Sequence, residues 1–134
     1  MFVGFKSPHF LGDALAVGVF AAVPEELMYR GVFLGVLYDC YQERSGHQWQ
    51  RLVPLILSAV IFGLAHLINL RTQGLLPTMV QVMQAAGLGL VLGAAYLRTQ
   101  NLMLPVAIHF SLDFLVTLRS GYGIAQDTHP SVIS

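Results

Sequence analysis

Two carboxylates and a guanidinium stand inside an apolar run. Pro24-Glu25-Glu26-Leu27-Met28-Tyr29-Arg30-Gly31 follows the uncharged stretch Ala14 to Val23 and precedes the uncharged stretch Val32 to Tyr38. A charge at the centre of a membrane helix costs about 2.5–3.5 kcal/mol on insertion scales, so these residues need partners, a watery cavity or protonation. Three further polar residues lie within apolar runs and can keep them company: His66, His109 and Asp113. Helical spacing already pairs some of them. Glu26 and Arg30 are four residues apart, acid first, which is the better order for an ion pair on one face. His109 and Asp113 have the same spacing, and Phe62 stands one turn before His66. Glu25 is rotated about 100° from Glu26 and lacks that partner.

The chemistry open to this set is hydrolysis by activated water. Withdrawal from bulk water makes a carboxylate basic enough to serve as a general base near neutral pH, and the apolar run gives Glu25 that setting. The histidines can hold the attacking water or donate hydrogen bonds to an oxyanion, contacts that gain strength where water is excluded. An acyl-enzyme route lacks a nucleophile: Ser111 lies between His109 and Asp113 but points elsewhere, and Cys40 falls in a loop. Zinc is the competing reading, since two histidines with carboxylates make a ligand set. The H-E-x-x-H spacing is absent, however, so no metal or other cofactor is the expectation and ligands spread over separate helices are the alternative. Structural readings stand beside these. Glu26 and Arg30 can be an ion pair that merely eases insertion, and a single intramembrane histidine can be a satisfied packing residue. A second carboxylate at Glu25 worsens insertion and is harder to explain structurally.

The elements that must position these groups are helices in lipid. Of 134 residues, 55 % are hydrophobic and 10 % charged, against roughly 25 % charged in an ordinary soluble chain, and mean hydropathy is +0.65. The expected fold is an all-α, polytopic transmembrane bundle of about four spanning helices, forming one domain. With zero net charge and no basic block, nucleic-acid binding is excluded. Met1 to Phe10 lack the apolar core and cleavage site of a signal peptide. Met1 to Leu11 are expected as an interfacial lead-in with Lys6 and His9 as polar handles, and Asp13 as an N-cap or first-turn acid. The first helix is expected from Asp13 to Tyr38, about 39 Å long, with Pro24 bending it and freeing a carbonyl.

Asp39 to Arg51, which includes Glu43, Arg44 and His47, reads as an aqueous loop with Trp49 at the interface. The second span is expected from Leu52 to Ile68 or Leu70, closed by Asn69 in the left-handed conformation, and Arg71 to Gly74 make a turn. The third, Leu75 to Leu97, is polar only at Thr78, Gln81 and Gln84 in its first half, and carries Gly87, Gly89 and Gly93, small residues that allow close helix approach. The pair Gly89 and Gly93 is read as packing within this bundle rather than as a dimer contact. The fourth is expected from Leu102 to Leu118, followed by a loose tail through Gly121, Gly123 and Pro130. Orientation stays open, because Lys6, Arg71 and Arg119 balance Arg44, Arg51 and Arg98.

Three of these patterns occur in a recognisable order. Glu25-Glu26 with Arg30 matches E-E-x-x-x-R, Phe62 with His66 matches F-x-x-x-H, and His109 with Asp113 matches H-x-x-x-(N/D). Together they resemble the CAAX protease and bacteriocin-processing family of intramembrane proteases, also called the Abi family, over about Asp13 to Arg119. The resemblance implies a glutamate-dependent endopeptidase with its active site in a cavity within the bilayer of, by expectation, a bacterial cell. It implies Glu25 as catalytic base, His66 positioning the water, His109 and Asp113 lining the oxyanion site, and Glu26 and Arg30 in support. Asparagine is usual where Asp113 stands in the prenyl-protein-processing members. Implied partners are a peptide or prenylated-protein substrate and the lipid bilayer, with additional helices or an oligomer completing the cavity. A non-proteolytic self-immunity or regulatory binding module is the alternative, and an ion or proton transporter the third class, disfavoured by the lack of an inverted repeat.

Overall fold

The computed structural model describes residues 8–42 and 49–120, and every element among them is helical. The expected all-α bundle is what the chain forms. The first helical run is longer than its hydrophobic pattern suggests. It comprises α1 (Pro8–Glu26), a π-helical segment (Leu27–Leu34) and α2 (Gly35–Gln42) without a break, since Glu26 and Gly35 at the junctions both keep right-handed helical backbone. Asp13 therefore lies inside α1 and is not its N-cap. Pro24 is likewise accommodated within α1, and the widening to π geometry begins three residues later. π segments are rare and concentrate at functional sites, because the extra residue per turn shifts side chains around the axis. Here the widened segment buries Arg30 and Leu34, and Ser58 of the facing helix donates to the Tyr29 carbonyl at 3.1 Å.

In its described residues, the expected loop from Asp39 to Arg51 is helix. Asp39, Cys40 and Gln42 belong to α2, and Trp49 to Arg51 open α3 (Trp49–Ala65). Cys40 is an exposed free thiol on that helix, not in a loop. Glu43, Arg44 and His47, like Lys6 and the tail from Gly121, lie outside the described residues. After α3 the chain tightens into a 3-10 turn (His66–Asn69) and a short α4 (Leu70–Gln73). Asn69 is right-handed (φ −72°), so the expected left-handed cap is not there. Gly74 makes the break instead, at φ 80° and ψ 174°, a region essentially closed to side-chain-bearing residues. From it α5 (Leu75–Thr99) starts, ends on Gln100 in the left-handed region, and gives way to α6 (Met103–Ser120). Asn101 caps α6 by accepting from the Met103 N–H at 2.9 Å.

Two close helix pairs, α1 with α6 and α3 with α5, make up the body of the bundle. Small residues set the second. A Cβ on Gly63 would sit 2.8 Å from both Ala86 Cβ and the Val82 carbonyl oxygen, and one on Gly89 would sit 3.0 Å from Ala59 Cα. A Cβ on Gly93 would lie 2.6 Å from Leu55 Cδ1, so Gly89 and Gly93 serve packing within the bundle, as expected. Gly87 does not: its face is open to 4 Å.

The distribution of polarity is inverted relative to a protein folded in water. The interior holds small residues such as Ala14, Ala22 and Ala59 beside buried Glu26, Arg30, Thr78 and His109. The outside carries Phe20, Leu76 and Met83, each more than 70 % exposed (79, 77 and 73 %). Two helical stretches, Trp49–Gln73 and Leu75–Thr99, are long and apolar enough to cross a membrane, with hydropathies of 2.1 and 1.6. Only 28 % and 22 % of their most apolar windows are buried, which separates them from the core helices of a soluble protein and leaves their side chains for lipid.

Candidate active site

Glu26 is the anchor of the polar cluster. It ends α1 fully buried, and its Oε1 lies 2.8 Å from Arg30 Nη1 in the i, i+4 pair that the sequence spacing predicts. The same Oε1 lies 2.8 Å from Nδ1 of His109 on α6, a contact no local pattern announces. A carboxylate shared by a guanidinium and an imidazole is well matched in charge but not in geometry. The Arg30 contact is close without being aligned as a hydrogen bond, so both Arg30 Nη atoms and Glu26 Oε2 are buried with no hydrogen-bond partner.

The aromatic Phe62, 1 % exposed, gathers the remaining groups. Its ring meets His66 edge-on at 5.3 Å, His109 at 5.8 Å and Tyr29 at 4.9 Å between centroids. Arg30 Cζ stands 4.5 Å above it, a cation–π contact that partly offsets the guanidinium's missing hydrogen bonds. One side chain thus holds the π segment, α3 and α6 in register.

Both imidazoles are oriented by their Nδ1 atoms. His66 Nδ1 is 3.0 Å from the Phe62 carbonyl oxygen; a carbonyl only accepts, so Nδ1 carries a hydrogen, and in the neutral ring Nε2 holds the lone pair. His109, with Nδ1 engaged by Glu26, turns Nε2 toward Glu25 Oε2 at 3.8 Å and Asp113 Oδ2 at 3.5 Å. These are ion-pair separations, longer than a well-formed hydrogen bond. The imidazole is nearly enclosed while the two carboxylates it faces are about one-third exposed, at 35 % for Glu25 and 29 % for Asp113.

That exposure is toward a cavity of about 560 Å³. Glu25, His66, His109 and Asp113 all line it, so the four residues singled out by type and spacing come from three separate helical regions to one space. Glu26, Arg30 and Phe62 stand behind them. Ser111 donates to the Ala107 carbonyl at 2.7 Å and is exposed, outside the cluster. Sequence reasoning passed over Tyr29, Asn69 and Gln81 as cavity residues. For Tyr29 a signal existed, namely its i+4 spacing from Glu25. Among the described residues no three His, Cys, Asp or Glu side chains are grouped to hold a metal ion.

A lipid-facing helical bundle enclosing paired carboxylates and two oriented histidines defines a membrane protein equipped for acid–base chemistry. Residues 7–115 match the family model described as type II CAAX prenyl endopeptidase Rce1-like, and the chain belongs to that family of peptidases. No curated protein and no solved structure was found to match.

Proposed function

We propose that the protein is an intramembrane endopeptidase that hydrolyses a peptide bond with water activated by Glu25. The observation that carries this reading is the convergence of Glu25, His66, His109 and Asp113 on one cavity. Family membership supports a peptide or prenylated-protein substrate presented in the membrane. Four helical passes, 8–42, 49–73, 75–99 and 103–120, would enclose it.

In this mechanism Glu25 takes one proton from a water molecule while the unprotonated Nε2 of His66 accepts a hydrogen bond from its other hydrogen. The water oxygen bonds to the carbonyl carbon, and charge moves onto the carbonyl oxygen. His109, held by Glu26 at Nδ1, donates from Nε2–H to that oxyanion in its imidazolium form. Asp113, in its neutral form, donates beside it. Glu25 then returns the proton to the amide nitrogen as the C–N bond breaks. Every step in this scheme is carried by the chain's own carboxyl and imidazole groups, the two imidazoles being oriented through Nδ1 by the Phe62 carbonyl and by Glu26.

The test uses the purified protein in proteoliposomes with a farnesylated peptide ending in Cys-aliphatic-aliphatic-X. Wild-type protein should release the terminal peptide, and Glu25→Gln should lower the rate by about 10²- to 10⁴-fold with an unchanged circular-dichroism spectrum. Cleavage that persists in that variant would refute the mechanism. Binding without cleavage by either protein would favour a self-immunity or regulatory module.

A further inference from the structure

A second polar group lines the same cavity and has no part in the hydrolytic step. Asn69 Nδ2 donates to Gln81 Oε1 at 2.9 Å, and Gln73 Nε2 donates to the same oxygen. Asn69 and Gln81 both line the cavity and both are half-buried. The arrangement spends one acceptor on two donors. It leaves Gln81 Nε2, a two-hydrogen donor, and Asn69 Oδ1, an acceptor, without a hydrogen-bond partner among the described residues.

The backbone explains why Asn69 is there. In the 3-10 turn His66–Asn69, side chains at i and i+3 eclipse and each residue rises about 2.0 Å. Asn69 therefore stands on the same edge as His66, about 6 Å along the axis. An ordinary α-helical turn would have set it about 60° to one side and about 4.5 Å along. An extended peptide advances about 3.3–3.6 Å per residue, so 6 Å corresponds to about two residues.

We propose that Asn69 and Gln81 form a subsite that binds the main chain of an extended peptide substrate about two residues from the scissile bond. Gln81 Nε2 donates to a substrate carbonyl and Asn69 Oδ1 accepts the neighbouring substrate N–H. One donor and one acceptor side by side copy the edge of a β-strand, which engages a peptide irrespective of its side chains. Gln73 holds Gln81 in place from outside. The subsite rests on the peptidase reading above, and its residues are substrate-binding rather than catalytic.

The experiment compares peptide substrates with single amide-to-ester replacements along the chain, using full-length protein in proteoliposomes. Wild-type protein should lose about five- to tenfold in kcat/KM when the ester falls two residues from the scissile bond. In Asn69→Ala the all-amide substrate should be cleaved about five- to tenfold less efficiently, and the ester at that position should bring no further loss. Gln81→Glu keeps an oxygen for Asn69 and Gln73 but removes the donor, and should raise KM by a similar factor with kcat within about twofold. An ester penalty of equal size in wild type and Asn69→Ala, or unchanged KM in Gln81→Glu, would overturn the subsite while leaving the peptidase reading intact. Failure of wild-type protein to cleave any of the peptides would overturn both.

Discussion

His109 Nδ1 and Glu26 Oε1 lie 2.8 Å apart although 83 residues separate them in the chain. Through this contact a residue that helical spacing pairs with Arg30 also fixes the imidazole that faces Glu25 and Asp113. Removing Glu26 would leave Arg30 buried and unpaired, 1 % exposed and already short of hydrogen bonds. Glu26→Ala should therefore destabilise the protein by about 3–5 kcal/mol, and Glu26→Ala combined with Arg30→Leu should recover much of that loss. Reversible unfolding in detergent measures both. A double variant no more stable than the single one would show that the ion pair is not the origin of the effect.

Asp113 faces His109 Nε2 at 3.5 Å from the next turn of α6. If it acts as a neutral hydrogen-bond donor at the oxyanion, asparagine can replace it and leucine cannot. Asp113→Asn should keep cleavage within a few-fold of wild type, whereas Asp113→Leu should lose about 10²- to 10³-fold in kcat, the cost of deleting an oxyanion donor. Equal loss in both variants would assign Asp113 a role that needs its charge.

Two glycines, buried Gly63 on α3 and exposed Gly87 on α5, give a structural contrast. A Cβ at Gly63 would collide with Ala86 and the Val82 carbonyl, while one at Gly87 would meet nothing within 4 Å. Gly63→Val should destabilise the α3–α5 pair by about 1–3 kcal/mol. Gly87→Ala should be neutral or stabilise by up to about 1 kcal/mol through helix propensity. Thermal unfolding midpoints in detergent rank the two, and an inverted order would contradict the packing described for α3 against α5.

Treatment with a strong zinc chelator should leave cleavage of the farnesylated peptide within about twofold of the untreated rate, because general-base catalysis by a carboxylate needs no metal. Activity lost to the chelator and restored by added zinc would transfer the water-activating role from Glu25 to a metal ion.

Helical character, lipid-facing surface and three side-chain pairs, two polar and one aromatic, were legible in the sequence because each depends on neighbours within about one turn. Glu26 with Arg30, His109 with Asp113 and Phe62 with His66 all follow from a spacing of four residues, and each pair meets as that spacing requires. Helix ends were less legible. Asp39 to Gln42 are polar yet helical, because a polar helix end and a loop have the same composition. The helix break fell to Gly74 rather than Asn69, since its extended backbone at positive φ is open only to a residue without Cβ.

What the chain alone determined, then, is a membrane-grade helical protein carrying paired ionisable groups at fixed local spacings. Only the tertiary structure decided that Glu26 serves His109, that Phe62 joins three helical segments, and that Asn69 and Gln81 share the cavity with Glu25. The reason is one of range. A change of hydrogen-bond register, from α to π after Glu26 and from α to 3-10 at His66, leaves no mark in the hydrophobic pattern, yet it turns the side chains that follow. Contacts across 83 residues depend on those turns and on helix packing, which no local period encodes.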